Sequence, residues 1–291
     1  MATLARNALD ALPPYGCADV HGDWRKAVAS YPQKVVVLDD DPTGVQTVHD
    51  VYVYTDWKAE SLTRAFEAPE KMFFVLTNSR GMDAAETRKA HEEIARNLLA
   101  ASRKTGRDFL VVSRSDSTLR GHYPLETETL RGVLEAEGGM RLDGEILMPF
   151  FAQGGRYTLD NVHYVAMGDR LVPAGETEFA KDRTFSYAAS DLRAWIAEKT
   201  GGAYPAENVT TVSVAELRGG DLAAVTEKLR RLTDFNKVVV NAADDRDAER
   251  FVTALAPLLA EGKRFVYRSA AALARALGGV EDRAPLARSE L

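Results

Sequence analysis

Residues 35–44, VVVLDDDPTG, place three consecutive carboxylates, Asp39, Asp40 and Asp41, directly after four apolar residues. Adjacent like charges repel, so the cluster costs stability unless something compensates it. Three later stretches share the form of an apolar run followed by polar chemistry. FFVL leads into Thr77–Arg80 (TNSR), FLVV into Ser113–Gly121 (SRSDSTLRG), and ILM into PFFAQGGR, which ends at Arg156. The planar fork of arginine matches a carboxylate or a phosphate. Aspartate accepts hydrogen bonds from hydroxyls and can take a proton from one. A site with both suits a polyhydroxylated acid.

The elements that must position these residues are legible in outline. Short apolar runs recur at Val35–Leu38, Met72–Leu76, Phe109–Val112, Ile146–Met148, Val238–Val240 and Phe265–Tyr267. They do not alternate with polar residues, which suits strands covered on both faces. Helical patterns lie between them. DAAETRKAHEEIARNLLAASRK opens with Asp83 and Glu86 at capping-box spacing, and YPLETETLRGVLEAEG has Pro124 near its start and glycine at its end. DDRDAERFVTALAPLLAEG and AAALARALGG complete the set, with Pro257 expected to kink or divide the former. The class is therefore α/β, a mostly parallel open sheet with helices on both faces, and ligands in such sheets bind beyond the carboxyl ends of the strands. Residues 157–185 carry β-type residues and turn signals but no helical period, and predict a hairpin-like excursion beside the sheet. Residues 1–32 read as a surface extension, 33–280 as the main domain and 281–291 as a linker.

Composition narrows the partners. The 291 residues carry 37 basic and 43 acidic side chains, a net charge of −6, without a basic block, which disfavours nucleic acid. One cysteine, Cys17, allows no internal disulfide and fits a reducing compartment. No secretory signal and no apolar stretch of about 20 residues are present, so no membrane partner is expected and the cytoplasm is the default. The five histidines lack metal-ligand spacing, and no metal ligands are assigned. There is no G-x-x-x-x-G-K-[ST], no G-x-G-x-x-G and no G-x-S-x-G.

Two enzyme readings of the aspartates compete. Asp39, Asp41 and Thr43 resemble the D-x-D-x-[TV] motif of haloacid-dehalogenase-like phosphatases, with Asp39 as nucleophile and Mg²⁺ as cofactor. That reading leaves DSTLRG unexplained. The second reading rests on DDPTG (Asp40–Gly44), Ser79-Arg80, DSTLRG (Asp116–Gly121) and GGRYTLDNVHYV from Gly154. In order and spacing these resemble the N-terminal domain of the four-carbon acid sugar kinase family, as do VVVNAADDRDAERF and FVYRSAAALARALGG near the end.

The resemblance implies an enzyme that phosphorylates threonate, erythronate or 3-oxo-tetronate with ATP and Mg²⁺. Its N-terminal domain binds the sugar acid, a C-terminal domain binds the nucleotide, and homodimers are the family habit. By motif position, Asp41, Thr43, Gly44, Ser79, Arg80, Ser117, Arg120, Gly121, Gln153 and Arg156 surround the substrate, and Asp40 or Asp116 is the base. Pro42 stands where many members have an aromatic residue. The glycine-rich nucleotide cradle is not found in these 291 residues, so alone they are expected to be inactive or nearly so, the nucleotide half being a missing domain or a companion chain. A sugar-acid-binding module without catalysis is the third reading.

Overall fold

The computed structural model describes residues 1–283. β1 (Leu4–Ala5) and α1 (Val20–Ala29) precede β2 (Lys34–Asp39). β3 (Tyr52–Tyr54), α2 (Ala59–Glu67), β4 (Met72–Leu76), α3 (Ala84–Thr105), β5 (Phe109–Arg114), α4 (Leu125–Ala136) and β6 (Gly144–Met148) follow. Next come β7 (Arg156–Leu159), β8 (Val162–Met167), β9 (Arg170–Pro173) and α5 (Leu192–Lys199). The described chain ends with β10 (Thr210–Val212), α6 (Val214–Arg218), α7 (Ala223–Arg230), β11 (Asn236–Val240), α8 (Asp245–Ala260), β12 (Phe265–Ser269) and α9 (Ala271–Gly278).

Eight strands form one parallel sheet in the order β10-β11-β6-β12-β5-β2-β4-β3. Each apolar run is one of its six inner strands. One face of the sheet (Val35, Val37, Leu110, Val112, Ile146, Tyr267) packs on α1, α8 and α9 through Trp24, Phe251, Leu255, Leu273 and Leu277. The other face (Val36, Leu38, Phe73, Val75, Val111, Val266) packs on α2, α3 and α4 through Leu62, Phe66, Ile94, Leu98 and Leu130. Leu147 and Val239 extend it to Trp195 and Ile196 of α5. Burial on both faces is why these strands read as continuous apolar runs. The edge strands β3 and β10 were not legible, because each is three residues long and one of them, β3, leaves Tyr52 and Val53 exposed.

The excursion is a three-stranded antiparallel meander, β7-β8-β9, to which β1 adds as a fourth strand. Asp160 and Asn161, both with positive φ (47° and 68°), make the two-residue turn between β7 and β8. The capping box of α3 forms as the spacing predicts, with Glu86 N donating to Asp83 and Asp83 N to Glu86. Two expectations are corrected. Pro257 does not divide α8, which runs through it to Ala260 with Phe251, Leu255, Leu258 and Leu259 buried. Of residues 1–32, expected as a surface extension, residues 20–31 pack into the core, whereas residues 1–19 are exposed or half-buried. Trp24 is wholly buried and donates its indole N–H to the Ala276 carbonyl (2.9 Å), and the Tyr31 hydroxyl donates to the Leu277 carbonyl (2.6 Å). Val20, Trp24 and Val28 form the buried stripe of an amphipathic helix, a spacing that the proline-rich leader before it obscured. Of the predicted linker, residues 284–291 lie outside the described residues.

Truncating Trp24 tests this integration. Trp24→Ala should cost about 3–5 kcal/mol, as for other fully buried aromatic side chains. Urea denaturation followed by far-ultraviolet circular dichroism would show it, and a loss below about 1 kcal/mol would return residues 20–31 to the periphery.

Candidate functional site

Sheet register aligns Leu76, Asp39, Arg114, Ser269 and Met148 in one row at the carboxyl edge. The row places Arg114 beside Asp39, with Nη1 donating to Oδ1 at 3.2 Å. Burial pushes the Asp39 carboxyl up to about 7, against the pull of Arg114 and helped by Asp40 and Asp41. Gly44 closes over this carboxylate so tightly that a Cβ there would lie 1.6 Å from Oδ2. Asp39 is thus a covered strut. The phosphatase reading needs it as an open nucleophile, and this packing overturns that role.

Asp40 and Asp41 share Arg80. Its Nε and Nη2 donate to Asp40 Oδ2 (3.1 Å) and Oδ1 (2.5 Å), and its Nη1 lies 2.5 Å from Asp41 Oδ2. The Ser115 hydroxyl adds a 2.5 Å bond to Asp40 Oδ2. Burial raises the Asp40 carboxyl even so, with Arg80 opposing. Asp41 is half-exposed. Burial pushes it up, but hydrogen bonds from the Thr43 N–H (2.7 Å) and hydroxyl (2.5 Å) and the charge of Arg80 hold it below the usual range.

The DSTLRG loop forms the second group. Asp116 Oδ2 accepts from Arg120 Nε (2.6 Å) and from the Thr118 hydroxyl, whereas Oδ1 has no protein partner among the described residues. Burial raises Asp116, and these bonds with the Arg120 and Arg80 charges bring it below the usual range. Gly121, at φ 112°, lets the loop turn beneath: a Cβ would sit 2.6 Å from the Ser115 hydroxyl and 2.9 Å from Arg268. Ser117 is half-exposed, and its carbonyl accepts from His163 Nε2 at 2.7 Å. Arg156, at the start of β7, is half-buried and electrostatically coupled to Asp116 and Arg120. Among the described residues its side chain makes no ion pair or hydrogen bond, and its Nε is buried without a partner. Burial lowers its basicity.

Beneath both groups lies a buried pair that strand-end reading missed. Arg268, on β12, lies 2.5 Å from Glu126 Oε2 and also donates to the Ser113 hydroxyl (3.1 Å) and the Arg120 carbonyl (3.2 Å). Ser79, wholly buried, donates to Glu126 Oε1 at 2.7 Å, so it supports the site from below and does not face a ligand. Burial disfavours ionised Glu126, but Arg268, His91 and the Ser79 bond hold it down at about 2. Arg268 was findable, because FVYRS is an apolar run ending in arginine and serine. Gln153 points elsewhere, donating to Asp245 Oδ2 (2.9 Å) beside a cavity of about 750 Å³ lined by residues 46–50, Arg275 and residues 281–283. The structure thus brings Asp40, Asp41, Thr43, Gly44, Arg80, Asp116, Ser117, Arg120, Gly121 and Arg156 to the carboxyl edge, where the Ser79 side chain turns inward to Glu126 and that of Gln153 bonds to Asp245.

The family model described as the sugar-binding N-terminal domain matches residues 35–277. The chain belongs to this family. Two solved structures share the fold of this sugar-binding domain. One, from Bordetella bronchiseptica, is described as a domain of unknown function (DUF1537) with bound citrate and as a domain-swapped dimer. It is 23% identical with a TM-score of 0.60, over 84% of this chain and 55% of that one. The other is a Haemophilus influenzae protein of the DUF1537 family, 16% identical with a TM-score of 0.59, over 85% of this chain and 57% of that one. The chain therefore spans little more than half the length of these structures. No curated protein matches it. The resemblance carried by DDPTG, DSTLRG and GGRYTLDNVHYV holds at the level of the family. No helix among the described residues is long and apolar enough to cross a membrane.

The antiparallel sheet of this sugar-binding domain is fastened to the DSTLRG loop by His163, whose Nε2 donates to the Ser117 carbonyl while Nδ1 accepts from the Thr158 hydroxyl (2.9 Å). Burial lowers the His163 imidazole to about 4, against about 6.5 when unfolded. Between those values the unfolded state binds more protons, so stability is full above pH 6.5 and falls as pH drops toward 4. The loss should approach about 3 kcal/mol. Urea denaturation of wild type and His163→Gln at pH 7.5, 6 and 5 should show the stability gap narrowing with acidification, and parallel pH profiles would refute the assignment.

Proposed function

We propose that this domain binds a four-carbon sugar acid of the threonate, erythronate or 3-oxo-tetronate kind and presents one hydroxyl for phosphorylation by ATP. One observation carries the reading: Arg156 is a half-buried arginine without an acidic partner, beside a loop in which Asp116 and Arg120 are already paired. A buried cation left unneutralised costs stability unless a ligand anion completes it. A substrate carboxylate would do so through the fork of Arg156, with Arg120 alongside. Asp41, Thr43 and Ser117 would take hydroxyls. Arg80 serves as a strut, since Asp40 and Asp41 occupy its donors. Both Asp40 oxygens are engaged and Asp116 Oδ1 is open, so Asp116 is the better base. Citrate in the Bordetella structure, a small carboxylic acid, supports this class of ligand, and its dimer supports a second copy as a partner.

ATP and Mg²⁺ are assigned no residues here, because kinase Mg²⁺ is held largely by the nucleotide's own phosphates. No group of three or more His, Cys, Asp or Glu side chains among the described residues could hold a metal ion. The nucleotide and its metal would be supplied by another part of a longer protein or by a companion chain, and the present residues would bind and orient the acceptor. Phosphoryl transfer depends mostly on such positioning.

Isothermal calorimetry with a panel of four-carbon sugar acids tests the reading. Arg156→Ala should weaken binding about ten- to hundredfold, the cost of a charge-assisted pair. Arg107→Ala, at the opposite end of β5 where Nη1 donates to the Ala68 carbonyl (2.9 Å), should change it less than about twofold. Equal losses would overturn the site. In a coupled assay with Mg-ATP, these 291 residues alone should phosphorylate none of the acids, and turnover would overturn the division of labour.

A further inference from the structure

Arg156 has no ionic partner, yet its guanidinium is not loose. Its Cζ lies 5.6 Å from the centroid of the Phe179 ring, and the Cζ of Arg120 lies 5.2 Å from the same centroid. Phe179 belongs to a short turn, Glu178–Lys181, that follows β9. That turn is fixed to the DSTLRG loop: Tyr187 N donates to the Ala180 carbonyl (3.1 Å), and the Tyr187 hydroxyl donates to the Thr118 carbonyl (2.7 Å). Gly154 leaves room on the other side, since a Cβ there would lie 3.0 Å from Arg156 Nη1.

We propose that Phe179 is a positioning residue that holds Arg120 and Arg156 together as a clamp for the carboxylate of the ligand. The role in binding rests on the sugar-acid reading above; the clamp itself does not. A carboxylate could fix two arginines equally well but would consume their charge. An aromatic face attracts guanidinium groups without neutralising them. Arg120 is partly neutralised by Asp116 and, at 3.9 Å, by Asp182, so Arg156 brings the surplus positive charge. Burial lowers the basicity of Arg156, and the charge of Asp116 only partly opposes it. The turn after the antiparallel sheet thereby acquires a task, to bring one ring within reach of two arginines from separate elements, the loop after β5 and the start of β7.

Side-chain ¹H–¹⁵N spectra and calorimetry on the 291-residue chain test this together. The Nε–H signals of Arg120 and Arg156, assigned through Arg120→Lys and Arg156→Lys, should carry ring-current shifts in wild type. Phe179→Leu should abolish those shifts and weaken binding of the preferred four-carbon acid about tenfold, with little change in midpoint temperature. Phe179→Tyr should retain the shifts and keep affinity within about twofold. Should the leucine variant fold poorly, Phe179→Met makes the same comparison. Signals and affinity unchanged in the leucine or methionine variant would overturn the clamp. Ring-current shifts present in a wild type that binds none of the acids would overturn the sugar-acid reading and leave the clamp standing.

Discussion

Three adjacent carboxylates at a strand end can fold only if each finds its own compensation, and the carboxyl edge is built around that constraint. Asp39 takes Arg114 from the neighbouring strand and is sealed by Gly44. Asp40 takes Arg80 and Ser115. Asp41 takes the other nitrogen of Arg80 and the two donors of Thr43. Arg80 serves both Asp40 and Asp41, and Asp39 at the strand end takes a separate counter-ion. Separate partners draw in the ends of β4 and β5, and the loops after those strands are the ones that carry the candidate ligand groups.

The same loops rest on a second layer of charge. Glu126 and Arg268 are buried from opposite elements, a helix and a central strand, and both spend their remaining hydrogen-bonding capacity on the site: Ser79 and Ser113 hydroxyls for Glu126, Ser113 and the Arg120 carbonyl for Arg268. A buried ion pair often adds little net stability over a well-packed apolar pair. Its worth here is geometric. An apolar replacement could fill the volume but could not hold the Arg120 main chain or orient the Ser79 hydroxyl.

How far the sequence disclosed this follows from range. Strands buried on both faces announce themselves as apolar runs, and their polar ends announced Asp40, Asp41, Arg80, Asp116, Arg120 and Arg156. Local spacing gave the capping box of Asp83 and Glu86. What escaped depended on distant contacts. Glu126 looked like an ordinary polar residue in the first turn of a helix, because its partner lies 142 residues away. Ser79 sat in a turn-like stretch, compatible with a hydroxyl facing either solvent or the interior; only the position of Glu126 decides it. Trp24 was hidden by a leader rich in proline and glycine, although its helix carries an apolar stripe. Phe179 lay in a segment without period, where sequence gives β character but not which ring meets which arginine.

The surplus of charge indicates what kind of ligand belongs here. Asp39, Asp40, Asp41 and Asp116 are each paired within the fold with an arginine or hydrogen-bond donors. Among the arginines at this edge, Arg80, Arg114 and Arg120 are likewise answered, and Arg156 is not. In the proposed reading, unpaired positive charge beside paired acids that still expose an acceptor oxygen suits a molecule with one anionic group and several hydroxyls. A simple phosphate or a simple polyol would satisfy one half of that demand and leave the other half unmet. A sugar acid would meet both with a single chain of carbons, and the proposal therefore ties the placement of one arginine at the start of a small antiparallel sheet to the chemistry at the end of the large parallel one.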